Sequence, residues 1–477
     1  MTETQFVYRT GIASKNRLAS AALVFQMLII GITLSLTGRF NATMTDDSPG
    51  YLEFPFHSFD AALRDIRTPG YPSFLRLVTL ATGSYEAAPT AQYFAFCGAI
   101  LVFYFGLSRN VASGWSAAVI AGSLLTTNIL WLYVQTITTD TLAAAAGIAA
   151  MGFILQSHGH EGRTGWALAG VIASTTAAWL IRPAYLFLVL VVPIVRTLLH
   201  LKHAPREELT YGRIAQYGVK SLTLACVPVF CWCLLRLCLV QSFGVVSFGG
   251  YNLVGIAGQF LGSEQVAQLP ADLQPLARLA LNYRDQLPAN SLQMLDADKL
   301  NYLRIENNYD VTIWHVFTPA ARELYGNDPS VMNTQLRKLA TATLQSESRS
   351  YAVWLAKALR QGVYKIVSDF VLNPFGLMVT VIATSAAILR LARTWQRRVV
   401  HTPTTVAHVT EILFVMTFFY AVMNLVETIL VCPPLGRMTD AAAVMLMPLA
   451  TALMLQQFVV TQAFASRHDE SLGQTKF

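Results

Sequence analysis

Residues 44–72 read MTDDSPGYLEFPFHSFDAALRDIRTPGYP and follow directly on the first long apolar run of the chain. Two adjacent acids, Asp46 and Asp47, sit near its start, ahead of Ser48-Pro49-Gly50-Tyr51. Arg64 and Arg67 then precede a Pro69-Gly70-Tyr71-Pro72 turn. Proline fixes φ and glycine permits tight bends, so the segment is built to hold one shape. Acids and arginines on a fixed loop beside lipid suit chemistry on a charged, lipid-linked substrate. Surface connectors collect the same residue types, so composition alone leaves an ordinary solvated loop as the other reading.

The rest of the chain shows what this loop is attached to. Of 477 residues, 54% are hydrophobic and 13% charged, and the mean hydropathy is +0.46. Soluble domains carry about 25% charge, so this chain reads as an all-α integral membrane protein. The formal net charge is +7, but the basic residues gather in particular connections. That pattern sets membrane orientation rather than affinity for nucleic acid. The cysteines Cys97, Cys226, Cys231, Cys233, Cys238 and Cys432 lie mostly inside apolar runs. They imply no disulfide framework, and Cys231 and Cys233 point to different faces of a helix, which is poor metal geometry. The first apolar run follows Arg9, Lys15 and Arg17. It is too long for the core of a cleaved signal and reads as a retained anchor.

A spanning helix needs about 20 mainly apolar residues. About ten spans are expected: Leu18–Gly38, Tyr93–Leu107, Trp115–Leu130, Asp140–Leu155, Trp166–Ile181, Tyr185–Leu199, Leu222–Val240, Leu372–Leu391, Val406–Val431 and Ala441–Val460. In the first outer loop, 39–90, Tyr51–Leu63 and Tyr71–Thr82 read as short interfacial helices. The polar stretch 241–368 is too long for a plain connector and reads as a mainly helical outer, periplasmic domain. It separates a transmembrane catalytic half, 1–240, from C-terminal helices and a tail, 369–477. The basic connections, His158 to Arg163, Lys202 to Arg213 and Arg390 to Arg398, fall on one side. Both termini are then expected in the cytoplasm, with the loop around Asp47 on the outer face of the cytoplasmic membrane. The inverted repeat of many secondary transporters is not seen.

Charges near the spans are costly, about 2.5–3.5 kcal/mol each at mid-membrane, and so invite a partner or a task. Asp140, in Thr138-Thr139-Asp140-Thr141, reads as a helix cap or as a site carboxylate. Arg182 ends the fifth span, Arg236 lies near the outer end of the seventh, Glu427 shares a face of the ninth with Asn424, and Arg437 precedes the tenth. Each alone reads equally as snorkelling or as an interhelical pair. Together with Asp46, Asp47, Arg64 and Arg67 they all fall at the outer face. Carboxylates and arginines at one depth suit a site that binds phosphate and moves a proton.

On these residues the chain resembles the GT-C superfamily of membrane glycosyltransferases. These take sugars from polyprenyl-phosphate carriers and include protein O-mannosyltransferases and the aminoarabinose transferases that modify lipid A. Asp47-Ser48-Pro49-Gly50-Tyr51-Leu52 is similar to the family's Asp-Ser-x-x-Tyr signature, and Arg67-Thr68-Pro69-Gly70-Tyr71-Pro72 to the Arg-x-Pro-x-Tyr-Pro that follows it. Thr139-Asp140-Thr141-Leu142 is similar to the second acidic motif, and Arg182-Pro183 and Arg437 match weaker features. The family's Arg-Tyr pair is here Arg437-Met438, which loosens the role of Arg437.

The resemblance implies a GT-C-like helical bundle and a sugar transferred from a polyprenyl phosphate to a glycolipid, polysaccharide or protein of the cell envelope. Asp47 is then the general base, with Asp46 in reserve and Asp140 nearby. The donor phosphate falls to Arg67, Arg64, Arg182, Arg236 and Arg437, and substrate contacts to Tyr51, Tyr71 and Glu427. The chemistry is ordinary: a carboxylate takes the acceptor's proton, and forked guanidiniums hold the leaving phosphate. No nucleotide-binding glycine motif is present. A divalent cation is left open, with no ligand set assigned, since Asp46-Asp47 is not an Asp-x-Asp. Two other readings stand beside this one. An O-antigen ligase or polymerase would use arginines and a histidine of the large loop, where His315 is nearly alone. A lipid-linked sugar flippase would place its charges at mid-membrane on broken helices.

Overall fold

The computed structural model describes residues 3–111, 113–157, 164–203, 210–288, 290–293, 300–396 and 405–458. Among these residues every regular element is helical, and the only strand-like feature is an isolated parallel bridge between Thr43 and Thr136. α1 (Glu3–Leu36) carries the first apolar span, Arg17–Leu36. The loop after it then holds α2 (Ser48–Leu52), α3 (Phe59–Arg64) and α4 (Gly70–Thr82). The single helix expected over Tyr51–Leu63 is thus two, because Pro55 lacks an N–H and drives Phe54 out of the helical region.

α5 (Ala88–Ser108) carries the next apolar span, Tyr85–Ser108. The third expected span, Trp115–Leu130, is broken into α6 (Gly114–Gly122), a 3₁₀ turn at Ser123–Thr126 and α7 (Asn128–Tyr133). The reason is local. Ser123, Thr126 and Thr127 each donate their hydroxyl to a carbonyl three residues back, at 2.7, 2.7 and 2.8 Å. Such bonds offer the backbone an alternative to the helix ladder. α8 (Asp140–Gln156), α9 (Thr164–Ile181), α10 (Leu188–His203) and α11 (Tyr211–Val240) complete the first bundle. α8 is rich in alanine and glycine, and this lets it lie close on α5: a Cβ at Gly152 would fall 2.7 Å from the Phe103 backbone. Small residues at such contacts let membrane helices gain packing that apolar lipid does not supply.

Beyond α11 the chain forms α12 (Gly249–Ala257), α13 (Ser263–Gln268), α14 (Gln274–Asp285), α15 (Tyr302–Val311), α16 (Thr318–Tyr325), α17 (Pro329–Ser346) and α18 (Ser348–Leu372). Their core, which includes Phe317, Leu336 and Trp354, continues onto Leu425 and Ile429 of the next bundle helices. The compositional division at 368 therefore falls inside α18. The eighth span also differs from expectation. α18 meets α19 (Pro374–Gln396) at a bend of 88°. Pro374 withholds a donor there, and Asn373 caps α19 by accepting from Phe375 and Gly376 N–H at 3.0 and 3.2 Å. α20 (Thr405–Val431) and α21 (Gly436–Ala443) close the bundle, the latter opening the apolar segment Gly436–Phe458.

Among the described residues six helices are long and apolar enough to cross a membrane, seven if the bent pair is one span. Three further apolar helices, Gly114–Thr126, Asp140–Gln156 and Gly165–Ile181, are shorter. Large apolar side chains such as Phe25, Leu36 and Phe230 face outward, as lipid-facing helices require. The chain is a multi-pass membrane protein. The basic connection expected from His158 to Arg163, together with Arg206, Arg397 and Arg398, lies outside the described residues.

Candidate active site

The loop between α1 and α5 is stitched to the segment leading into α8. Thr43 N–H donates to the Gln135 carbonyl at 2.8 Å, and Ile137 N–H donates back to the Thr43 carbonyl at 3.0 Å. The buried Ser48 hydroxyl adds a third tie, accepting from Thr45 N–H at 2.8 Å and donating to the Ile137 carbonyl at 2.9 Å. Two sequence motifs about 90 residues apart, at Asp47 and at Asp140, are held together by these bonds.

Asp47 occupies the capping position of α2, yet its side chain makes no cap bond. It reaches Arg437 Nη1 at 2.8 Å and Arg67 Nη2 at 3.5 Å instead. Arg67 also donates to the Asp47 carbonyl at 3.2 Å and lies 4.8 Å over the Tyr51 ring. Tyr51 meets Tyr71 edge-on at 5.1 Å, so the two signature tyrosines form a rigid floor under the guanidinium. Arg67 Nε is buried and has no hydrogen-bond partner among the described residues. An orphaned donor on a charged group is costly unless a ligand takes it up.

The Pro69-Gly70 turn docks this loop on α9. A Cβ at Gly70 would fall on the backbone of Leu180 and Ile181, so only glycine fits. One residue later Arg182, in extended conformation ahead of Pro183, forms an ion pair with the fully buried Asp140. Asp140 is the first residue of α8, and Thr139 occupies its cap position. The capping alternative for Asp140 is corrected accordingly: its carboxylate holds Arg182 and does not cap a helix.

Asp47, Arg67, Arg182 and Arg437 line one wall of a partly open cavity of about 200 Å³. Burial alone would push the Asp47 carboxyl up. The guanidiniums of Arg437, Arg67 and Arg182 outweigh that and hold it below its ordinary value. The arrangement presents three cations and one ionised carboxylate to the same space. Such a wall can bind a phosphate bidentately and take up one proton.

Other residues singled out in the sequence lie elsewhere. Asp46 is exposed and does not line the cavity. Arg64 pairs with Asp60 at 2.8 Å and with Asp328, the cap of α17, at 3.1 Å, tying the loop to the α12–α18 helices. Arg236 is buried and donates to the carbonyls of Leu63 and Gly244, at 3.0 and 2.5 Å, and to Ser247 at 2.6 Å. It braces the loop from behind. Glu427 accepts from Phe187 N–H at 2.7 Å, and Tyr71 lies buried beneath Tyr51; neither lines the cavity. His315 is exposed and outside it too, which removes the support for a ligase built on a histidine of the large loop.

The sequence reading missed further lining residues of the cavity: Phe248, Asn252, Tyr309, Asp310 and Trp314, from the start of α12, from α15 and from the turn after it. No spacing marked them, although an acid followed closely by tryptophan in a polar stretch was a signal available to find them. Asp47 and Asp310 are the two carboxylates lining the cavity. Among the described residues no group of three or more His, Cys, Asp or Glu side chains comes together as a metal site.

Solved structures of ArnT from Cupriavidus metallidurans are similar to this chain. The one bound to undecaprenyl phosphate aligns at 14% identity over 96% of this chain and 78% of that one, with a TM-score of 0.35. The apo form aligns at 15% identity over 90% and 76%, also at 0.35. No protein-family model and no curated protein matches the chain.

Proposed function

We propose that this protein is an integral membrane glycosyltransferase of the GT-C type. It moves a sugar from a polyprenyl-phosphate carrier to a cell-envelope acceptor at the outer face of the cytoplasmic membrane, with both termini inside. The observation that carries the reading is the cavity wall on which Asp47 sits between Arg437 and Arg67, with Arg182 beside them. The Asp-Ser-x-x-Tyr and Arg-x-Pro-x-Tyr-Pro resemblance, resting on the same residues, supports it.

The ion pairs give the mechanism a sequence. Without donor, Asp47 shares Arg437 and Arg67 and is a weak base. A donor phosphate competes for those guanidiniums, because a forked cation pairs best with two anionic oxygens. Freed of them, Asp47 regains basicity and accepts the proton of the acceptor hydroxyl. The acceptor oxygen bonds to the anomeric carbon, and the bond from that carbon to the phosphate oxygen breaks. The electron pair leaves on the carrier phosphate, where Arg67, Arg182 and Arg437 stabilise the charge. The carrier's tail lies among the apolar helices.

Proteoliposomes carrying the purified protein, an undecaprenyl-phosphate sugar and an envelope extract test the reading. Sugar should appear on an acceptor, and a comparison of envelope glycolipids between wild type and a deletion strain identifies which. Movement of the lipid-linked sugar across the bilayer without any transfer would show a flippase instead.

A further inference from the structure

The three arginines leave the wall formed by Phe248 and Trp314 unexplained. Phe248, Tyr251 and Trp314 form a near-parallel cluster there, with ring centroids 5.8, 6.1 and 5.9 Å apart and interplanar angles of 23–28°. Phe248 and Trp314 line the cavity, and Trp314 remains 39% exposed beside a well-packed outer core. Asn252 and Asp310 line the same cavity.

The backbone explains how these residues reach one face. α15 does not pass straight into α16 but runs through a π-helical turn, Thr312–Phe317. Such turns are rare and collect at functional sites. Tyr309 and Ile313, and Asp310 and Trp314, are each four residues apart, so this stretch presents all four along the cavity. The carboxyl of Asp310 is pushed up by burial, while Arg437 draws it back down.

This wall has the wrong chemistry for phosphate, since Asp310 repels an anion, and the right chemistry for a sugar ring. Flat aromatic faces carry partial negative charge and suit the slightly positive C–H face of a pyranose or furanose. A carboxylate and an amide beside them accept and donate to the ring hydroxyls, the few placed polar groups that orient a ligand in an apolar pocket. We propose that Trp314, Phe248, Asp310 and Asn252 form the subsite for the transferred sugar, so that the outer helices select the sugar while the bundle arginines hold its phosphate. The proposal rests on the reading of the arginine wall as the carrier-phosphate site.

The test compares affinities in nanodiscs for bare undecaprenyl phosphate and for a panel of undecaprenyl-phosphate hexoses and pentoses. Wild type should bind at least one sugar-bearing carrier tenfold or more tighter than the bare one. Trp314→Ala should lose that gain while binding bare carrier as wild type does, Asp310→Asn should lose it while binding bare carrier at least as tightly, since a repelling charge is gone, and Trp314→Phe should retain most of it. The proposal is overturned if Trp314→Ala and Asp310→Asn keep the gain, if they weaken bare-carrier binding equally, or if no sugar improves wild-type binding. If wild type fails to bind even the bare carrier, the phosphate reading itself falls, and the subsite with it.

Discussion

Asp47 shows how one side chain can be kept ready and idle at once. Its carboxyl, held below the ordinary 3.8 by three arginines, is ionised at any physiological pH. Asp47→Asn should therefore cost about 10²- to 10⁴-fold in transfer, the usual contribution of a general base. Bare undecaprenyl phosphate should bind the same variant more tightly, because the arginines lose a competitor. A variant that keeps wild-type turnover would remove Asp47 from the chemistry. A depressed carboxyl stabilises the fold above its unfolded value and loses that contribution as pH falls through the folded one. The contribution is thus complete at neutral pH, and stability changes with pH on its account only below about 4. The profile of kcat/KM, which reports the free enzyme, should show no acidic limb above that point. Asp140 behaves differently, because it is fully buried against Arg182. Removing one partner of a buried pair costs about 3–5 kcal/mol, so Asp140→Asn should lower the melting temperature as well as donor affinity. Unchanged melting would mean that the pair does not hold Arg182.

At the scale of elements, two glycines of the first loop separate folding from function. A methyl at Gly70 would press on the backbone of Leu180 and Ile181. Overpacking of that kind costs about 1–3 kcal/mol, so Gly70→Ala should destabilise the protein measurably in thermal unfolding. A methyl at Gly50 would fall on the Arg67 guanidinium, a side-chain end that can move aside. Gly50→Ala should melt like wild type and bind carrier phosphate several-fold more weakly; equal affinity would show that the position of Arg67 is immaterial. Both glycines were legible because proline, glycine and tyrosine at short spacing mark a fixed turn wherever they occur. The partner of Asp47 was not, since Arg437 lies 390 residues away and no local pattern joins them. Arg236 misled for a related reason. An arginine at a helix end reads alike whether it meets a phosphate or, as here, the carbonyls of Leu63 and Gly244. Hydropathy likewise ran across Ser123, Thr126 and Thr127, whose hydroxyls break the third span.

At the scale of the whole molecule, the apolar bundle and the outer helices meet around one cavity, so orientation in the membrane becomes a functional statement. The site must face the side on which the lipid-linked donor is presented. With Cys231 and Cys238 replaced by serine, Asp272→Cys on the outer helices should react with a membrane-impermeant maleimide in intact cells. Arg109→Cys, at the opposite end of α5, should react only after permeabilisation. The reverse pattern would invert the protein and move the cavity to the cytoplasmic side. The most direct measurement of the central claim is the affinity of reconstituted protein for undecaprenyl phosphate in the alanine and lysine series at Arg67, Arg182 and Arg437. The account predicts a loss of tenfold or more for Arg67→Ala and Arg437→Ala. Lysine should restore only part of it, since it keeps the charge without the fork. Wild-type affinity in all three alanine variants would contradict the account and place the carrier phosphate elsewhere.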